Sequence, residues 1–367
     1  MKRRWRRDCV TALVLLLCLW ATRLAGLEAL PLHNDEGLHL TRAVEVWNLH
    51  PFWDISDGKI INHWPIAAFY PQNAPVFVSR VPTIMVAMIG LAAGYALARR
   101  LFGNIAALFA GVMWITSPYL FFFERLAFSD AQAGALVVLT LWACWRLWDY
   151  PSARHAIFTG LALGVAILFK FTAAPFALLV VVVIAFANRI AWRRRLLYLV
   201  LAGLATLASF IVPLLYITLR GRGFFEVALN WVGGGSSGSD GTSFLAENIA
   251  RLVAQLTDFG PPLWSLALVI GLVALAIWGG RRGRVSLLAW GLPLMAITVL
   301  GSEVLPRHYV VALPLALVAA GMGIGVGLDY ISVGARHVGP LQAGYLVALL
   351  GIVLVVGFVP FALTAFS

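Results

Sequence analysis

Charge is what this sequence has least of. Only 12% of its 367 residues are Asp, Glu, Lys or Arg, against about 25% in soluble domains. Together with 61% apolar residues and a mean hydropathy of +0.90, this excludes a soluble globular enzyme and a disordered chain. Cysteine is scarce as well. Cys9, Cys18 and Cys144 contain no pair with metal-ligand spacing and suggest no disulfide framework. All three read as small apolar packing residues. The long apolar runs lack the strict two-residue alternation of outer-membrane barrel strands, and no repeat of fixed period is visible.

What the chain has instead is a series of apolar runs, each near the twenty residues that a membrane-crossing helix needs. Eleven spans are predicted, at about 10–30, 76–98, 105–123, 131–149, 155–169, 171–188, 196–218, 262–280, 286–301, 309–330 and 341–364. The fifth and sixth form a tight pair broken near Lys170. MKRRWRR followed by TALVLLLCLW has the form of a signal peptide. The apolar stretch continues towards Leu30, however, and favours a retained first helix. The fold class is thus an all-α polytopic membrane protein.

The net charge of +11 is placed so as to orient this bundle rather than to bind nucleic acid. Arg99-Arg100, Arg146 to Arg154, Arg189 to Arg195, Arg281 to Arg284 and Arg336 all fall in short turns on the same side as the basic N-terminus. That is the positive-inside pattern, with the N-terminus cytoplasmic and the C-terminus extracytoplasmic. The other side carries two long loops, at about 31–75 and 219–261. All but Asp8, Asp149 and Asp329 of the 16 carboxylates fall on that outer side, which points to function there. The first loop is rich in aromatics, and Ala43, Val46 and Trp47 suit one side of an interfacial helix. The second contains WVGGGSSGSDGTS, flexible by composition at 233–243. It continues into SFLAENIARLVAQL, where Phe244, Leu245, Ile249, Leu252 and Leu256 fall at helical spacing. Few residues follow the last span, so no soluble C-terminal domain is expected.

Four groups of polar residues lie at the outer face. His33-Asn34-Asp35-Glu36-Gly37, with His39 beyond, offers two adjacent carboxylates. One of them can act as a general base on a hydroxyl; alternatively, Asn34 or Asp35 caps a helix with Glu36 in its first turn. Glu124, Arg125 and Asp130 sit at the mouth of the bundle, where Asp130 could cap the next helix and pair with Arg125. Lys170, flanked by apolar residues, needs an anionic partner if it is buried; if not, it snorkels. Arg307-His308-Tyr309 opens a late span, with an arginine whose planar fork suits phosphate. Two acids, two arginines and a lysine on one face suit an anionic, phosphate-bearing lipid and an acid–base step. His50, Asp54, Asp57 and His63 share the first loop, but their spacing matches no metal motif. A divalent metal is an open alternative, and no other cofactor is implied.

In this order, HNDEGLHLTRA, SRVPTIMVAMIGLAAGYALARRLFG, SPYLFFFERLAFSDAQAGALVVLTLWA, GLALGVAILFKFTAAPFALL and LPRHYVVALPLALVAAG resemble the integral-membrane GT-C glycosyltransferases. The nearest branch is the bacterial relatives of protein O-mannosyltransferases and of the aminoarabinose transferase acting on lipid A. The resemblance implies an inverting transferase of the plasma membrane. It would take a sugar from a polyprenyl-phosphate carrier on the extracytoplasmic side and pass it to an acceptor hydroxyl on a lipid, glycan or protein. It casts Asp35 as the base, with Glu36 and Asp130 beside it. Arg125, Lys170, Arg307 and His308 would hold the donor phosphate; His33, His39 and Tyr309 would meet sugar or acceptor. The alternatives from other classes are a secondary transporter, a lipid flippase or a non-catalytic subunit of a membrane complex. Transporters place their charges at mid-membrane between repeats, whereas here the charges cluster at one face.

Overall fold

The computed structural model describes residues 2–50, 58–69, 72–219, 241–258, 261–300, 304 and 306–334, and among them every regular element is a helix. The first half contains α1 (Lys2–Leu24), α2 (Asn34–Trp47), α3 (His63–Ala67), α4 (Pro75–Phe102), α5 (Asn104–Ile115), α6 (Pro118–Phe123), α7 (Ser129–Asp149) and α8 (Ala153–Phe169). There follow a 3-10 turn at Phe171–Phe176, α9 (Ala177–Ala185), α10 (Trp192–Ala208), α11 (Ile211–Leu219) and α12 (Gly241–Asp258). The last described elements are α13 (Pro262–Trp278), α14 (Gly280–Leu300), a 3-10 turn at Pro306–Val311, and α15 (Leu313–Gly334).

Each apolar run expected as far as residue 330 is helical, but several are interrupted, for local reasons. The first helix stops at Leu24 instead of running to residue 30, and the chain turns through 25–30. The 105–123 run splits because the Ser117 hydroxyl accepts from the Leu120 N–H and Pro118 occupies the first position of a new helix, α6. The 171–188 run opens as a 3-10 turn containing Pro175. The 196–218 run is a helix pair bent by 42°. The break near Lys170 is real: that residue is extended and ends α8. The run at 341–364 lies outside the described residues.

Among the described residues, two helices, α4 and the Leu313–Ile331 part of α15, are long and apolar enough to cross a membrane, or three spans if the bent pair counts as one. Several others are shorter apolar helices. Their outward faces carry Leu204, Leu207, Val269, Val273 and Ile277, all at least 45% exposed. An apolar surface on that scale suits lipid rather than water.

The core forms around α4, α5, α7 and α15. Trp114 and Trp145 are fully buried within it. Helix α13 lies so close to α15 that a Cβ on Gly323 would stand 1.8 Å from the Gly271 carbonyl oxygen, an approach only glycine permits. Gly103, at φ 92°, turns α4 directly into α5. The basic turns gather at one end of the bundle. There Asp8 accepts from Arg99 (2.7 Å) and Asn104 (2.9 Å), and Asp149 accepts from Arg100 (2.8 Å) and Arg282 (3.1 Å).

Candidate active site

At the other end, the chain leaving α1 is pinned before it enters α2. The cap of α2 is His33, not Asn34 or Asp35: its Nδ1 accepts the Asp35 N–H at 3.1 Å. Glu36 completes the capping box by accepting the His33 N–H at 3.0 Å. Glu36 is fully buried, and both its oxygens are in use. Arg80 on α4 grips them as a fork at 2.9 and 2.8 Å, and the Ala127 N–H adds a bond of 2.7 Å. Arg80 also donates to the carbonyls of Leu27, Leu30 and Pro31. A carboxylate so occupied has no lone pair left for an acceptor proton.

Asp35, its neighbour, is held differently. Lys59 (3.2 Å) and Arg307 (2.9 Å) both donate to its Oδ2, and its side chain keeps 27% exposure. Its Oδ1 makes no hydrogen bond among the described residues. Burial alone would raise its pKa. Lys59 and Arg307, with His33 nearby, outweigh burial and hold the carboxyl below its ordinary value.

Asp130 and Lys170 form a second, deeper pair, hydrogen-bonded and almost wholly buried. Asp130 is therefore neither a cap nor a partner of Arg125: the cap of α7 is Phe128, and Lys170 does not snorkel. His308 lies within electrostatic reach of Lys170, Asp130, Arg307 and Lys59. Burial first, then Lys170, lowers its pKa to about 4, so it is neutral at physiological pH. Three cations against two carboxylates leave this cluster one positive charge in excess.

Other expected site residues are held by contacts of their own. Arg125 is buried near Arg23 and Arg80, donates to the carbonyls of Ala25 and Gly26, and stacks over Phe121. Tyr309 is buried and its hydroxyl donates to the Asn248 carbonyl at 3.1 Å. His33 spends Nδ1 on its cap and packs edge-on against Phe128. His39 is fully buried, and neither ring nitrogen has a hydrogen-bond partner among the described residues. Burial, followed by Lys59, Arg42 and His63, drives its pKa well down, against the pull of Asp35. Asn62 is buried with both amide atoms likewise unpartnered. No three His, Cys, Asp or Glu side chains gather to hold a metal among the described residues; Asp54 and Asp57 lie outside them.

Comparison with solved structures identifies the fold. The structure of ArnT from Cupriavidus metallidurans bound to undecaprenyl phosphate superimposes with a TM-score of 0.64 at 18% identity, over 96% of this chain and 71% of that one. The apo state of the same protein gives 0.66 at 18% identity, over 96% and 70%. The fold is the GT-C fold. A third GT-C structure, the apo oligosaccharyltransferase of Archaeoglobus fulgidus, matches with a TM-score of 0.59 at 13% identity, over 97% of this chain and 55% of that one. Residues 61–216 match the profile of the dolichyl-phosphate-mannose-protein mannosyltransferase family. No curated protein matches the chain.

Within this GT-C fold, an apolar cavity of about 180 Å³ opens beside the charged cluster. Trp264, Leu268, Trp290 and Leu294 line it, and Tyr309, two residues from Arg307, stands in its wall. Sequence reasoning missed Lys59 and Arg80. Lys59 is the only lysine of the first outer loop, in SDGKIINHW, and that isolation is the one signal that could have exposed it. Arg80 lies inside an apolar run, where a lone arginine demands a carboxylate partner.

Proposed function

We propose that this protein is a glycosyltransferase that moves a sugar from a polyprenyl-phosphate carrier to an acceptor hydroxyl at the extracytoplasmic face of the plasma membrane, with inversion. Asp35 is the base, its open Oδ1 taking the acceptor proton. Arg307 and Lys59 fix the carboxylate and sit where the leaving phosphate gathers negative charge. The one observation that carries this reading is the Asp35–Lys59–Arg307 cluster, with one carboxylate oxygen clamped and the other open, beside an apolar cavity in a GT-C fold.

The chemistry follows from charge. Attack at the anomeric carbon passes through an oxocarbenium-like state. Fixed cations favour that state over the ground state, because the phosphate oxygen becomes more negative as the bond breaks. The excess positive charge of the cluster serves this end. Lys170, buried against Asp130, contributes field rather than contact. Phosphate is a competent leaving group, so neutral His308 need only donate a hydrogen bond to it. The apolar cavity takes the isoprenoid chain. His39 and Asn62, buried and without a hydrogen-bond partner among the described residues, would meet sugar or acceptor hydroxyls, since such groups cost about 1–3 kcal/mol each when left unsatisfied. Glu36 and Arg125 are assigned to holding the α1–α2 connection, and Tyr309 to fixing the Arg307 turn.

The bundle is read as multi-pass, with about eleven spans. The N-terminus and the basic end carrying Asp8 and Asp149 are cytoplasmic, and the C-terminus is outside. Membrane lipids surround it, and no nucleic acid is involved. The test is mass spectrometry of lipids that co-purify with wild type, Arg307→Ala and Lys59→Met, followed by transfer assays with undecaprenyl-phosphate sugars. A polyprenyl-phosphate species in the wild type, depleted in both variants, supports the reading. Wild type that neither retains nor turns over any such lipid refutes it.

A further inference from the structure

Helix α12 is tied to the segment around Arg307 chiefly through Asn248. Asn248 is fully buried, although its helix neighbours Leu245 and Ile249 are 38% and 45% exposed. Its Nδ2 donates to the Thr298 carbonyl on α14 at 3.1 Å. Its Oδ1 accepts the Val304 N–H at 3.1 Å. Its backbone carbonyl accepts from the Tyr309 hydroxyl at 3.1 Å, with Thr298 Oγ1 3.3 Å from the same hydroxyl. One turn on, Arg251 donates to the Val304 carbonyl at 3.4 Å.

These bonds fall on both sides of Arg307. Val304 precedes it by three residues and Tyr309 follows it by two. The turn that carries Arg307 is thereby tied at each end to the same asparagine. Arg307 itself spans 272 residues of sequence to reach Asp35 at 2.9 Å. A guanidinium works as a fork only when its direction is fixed, and its own contact with Asp35 is one-pronged. The direction must therefore come from the backbone that carries it.

We propose that Asn248 is a positioning residue for Arg307: by holding residues 304 and 309 it makes the seating of α12 a condition for aiming Arg307 at Asp35 and at the carrier phosphate. The role rests on the reading of Arg307 given above. An amide is the right group here, since one end must donate and the other accept. Aspartate would lose the donor and bury a charge, and alanine would lose both bonds.

The experiment uses the full-length protein in nanodiscs, with undecaprenyl phosphate as the probe. Wild type is compared with Asn248→Ala, Asn248→Gln, Tyr309→Phe and, as a control on the exposed face of the same helix, Ile249→Ala. Two readouts are taken: hydrogen exchange of the 304–311 peptide and affinity for undecaprenyl phosphate. Asn248→Ala is expected to speed exchange at 304–311 and weaken the lipid about tenfold. Tyr309→Phe should do the same more weakly, Asn248→Gln should recover part of both, and Ile249→Ala should match wild type. Faster exchange with unchanged lipid affinity would overturn the proposal, leaving Asn248 a merely structural residue. If wild type binds no undecaprenyl phosphate, the reading of Arg307 fails on its own account. The exchange data then decide the clamp separately, and unchanged exchange in Asn248→Ala overturns it.

Discussion

Replacing Glu36 by glutamine separates a structural acid from a catalytic one. In the native protein its two oxygens accept four bonds, two from Arg80 and one each from the His33 and Ala127 backbones. Glutamine keeps the shape but turns one acceptor into a donor. Two of the four bonds become donor facing donor, and Arg80 stays buried with no countercharge. Breaking one side of a buried pair costs about 3–5 kcal/mol. Glu36→Gln should therefore lower the unfolding temperature in detergent by several degrees. The fraction that remains folded should keep kcat within about threefold of wild type. Asp35→Asn should do the opposite. Its loss of a general base removes about 10²–10⁴ of the rate, while the partly exposed side chain leaves stability nearly unchanged. The assay is thermal unfolding followed by size exclusion, beside transfer measured per folded molecule. A Glu36→Gln protein of native stability that has lost its turnover would refute the argument and return Glu36 to the chemistry.

The pH profile reads Asp35 directly. Its folded pKa lies below the ordinary carboxylate value, and the deprotonated form is the active one, so kcat/KM should hold as pH falls through the ordinary carboxylate range and decline only below it. Lys59→Met should move that decline to higher pH; an unmoved acid limb would detach Asp35 from the limb. Lys170→Met leaves the Asp130 carboxylate buried and uncompensated, at a cost of about 3–5 kcal/mol. The double variant with Asp130→Asn should recover part of that loss in thermal unfolding, whereas strictly additive losses would contradict the pairing. Leu268→Asp, which puts a charge into the apolar cavity, should raise KM for a long-chain donor more than for a water-soluble short-chain analogue. Equal effects on the two would remove the chain from that cavity.

The helices were legible because an apolar run of span length has few other fates, and the Lys170 break because a charged residue and Pro175 interrupt it. The ends of the runs were less legible. Ser117-Pro118 divides 105–123 through a cap and a proline, local signals that an average over a long window dilutes. Within the site, the order of chain segments brought Asp35, Arg307, Lys170 and Asp130 into view, and the structure draws them to one end of the bundle. Which acid faced solvent was not legible. Asp35 and Glu36 are adjacent on a helix, about 100° apart around its axis, and only the position of α4 decides which of them meets Arg80. The contacts of Arg125 were hidden for a related reason. It shares its outer position with Arg307, but Gly26 and Ala25 supply carbonyls beside it, and those appear only once the chain after α1 turns.

That turn explains why so much charge is buried away from the reaction. Arg80 and Arg125 together donate to the carbonyls of Ala25, Gly26, Leu27, Leu30 and Pro31, groups that no helix satisfies, and Arg23 donates to those of Trp114 and Ile115. Arg23 also binds Glu124 at 2.8 Å, which in turn accepts from the Trp114 indole at 2.7 Å. Near a membrane surface such carbonyls cannot count on water, and leaving each unpaired would cost several kcal/mol. The arginines therefore fix the short connection between α1 and α2, and with it the point from which α2 starts. Asp35 sits in the first turn of that helix. Its reach to Lys59 and Arg307 is set by the buried scaffold beneath it, so a change at Arg80 or Arg125 should misplace Asp35 without touching it.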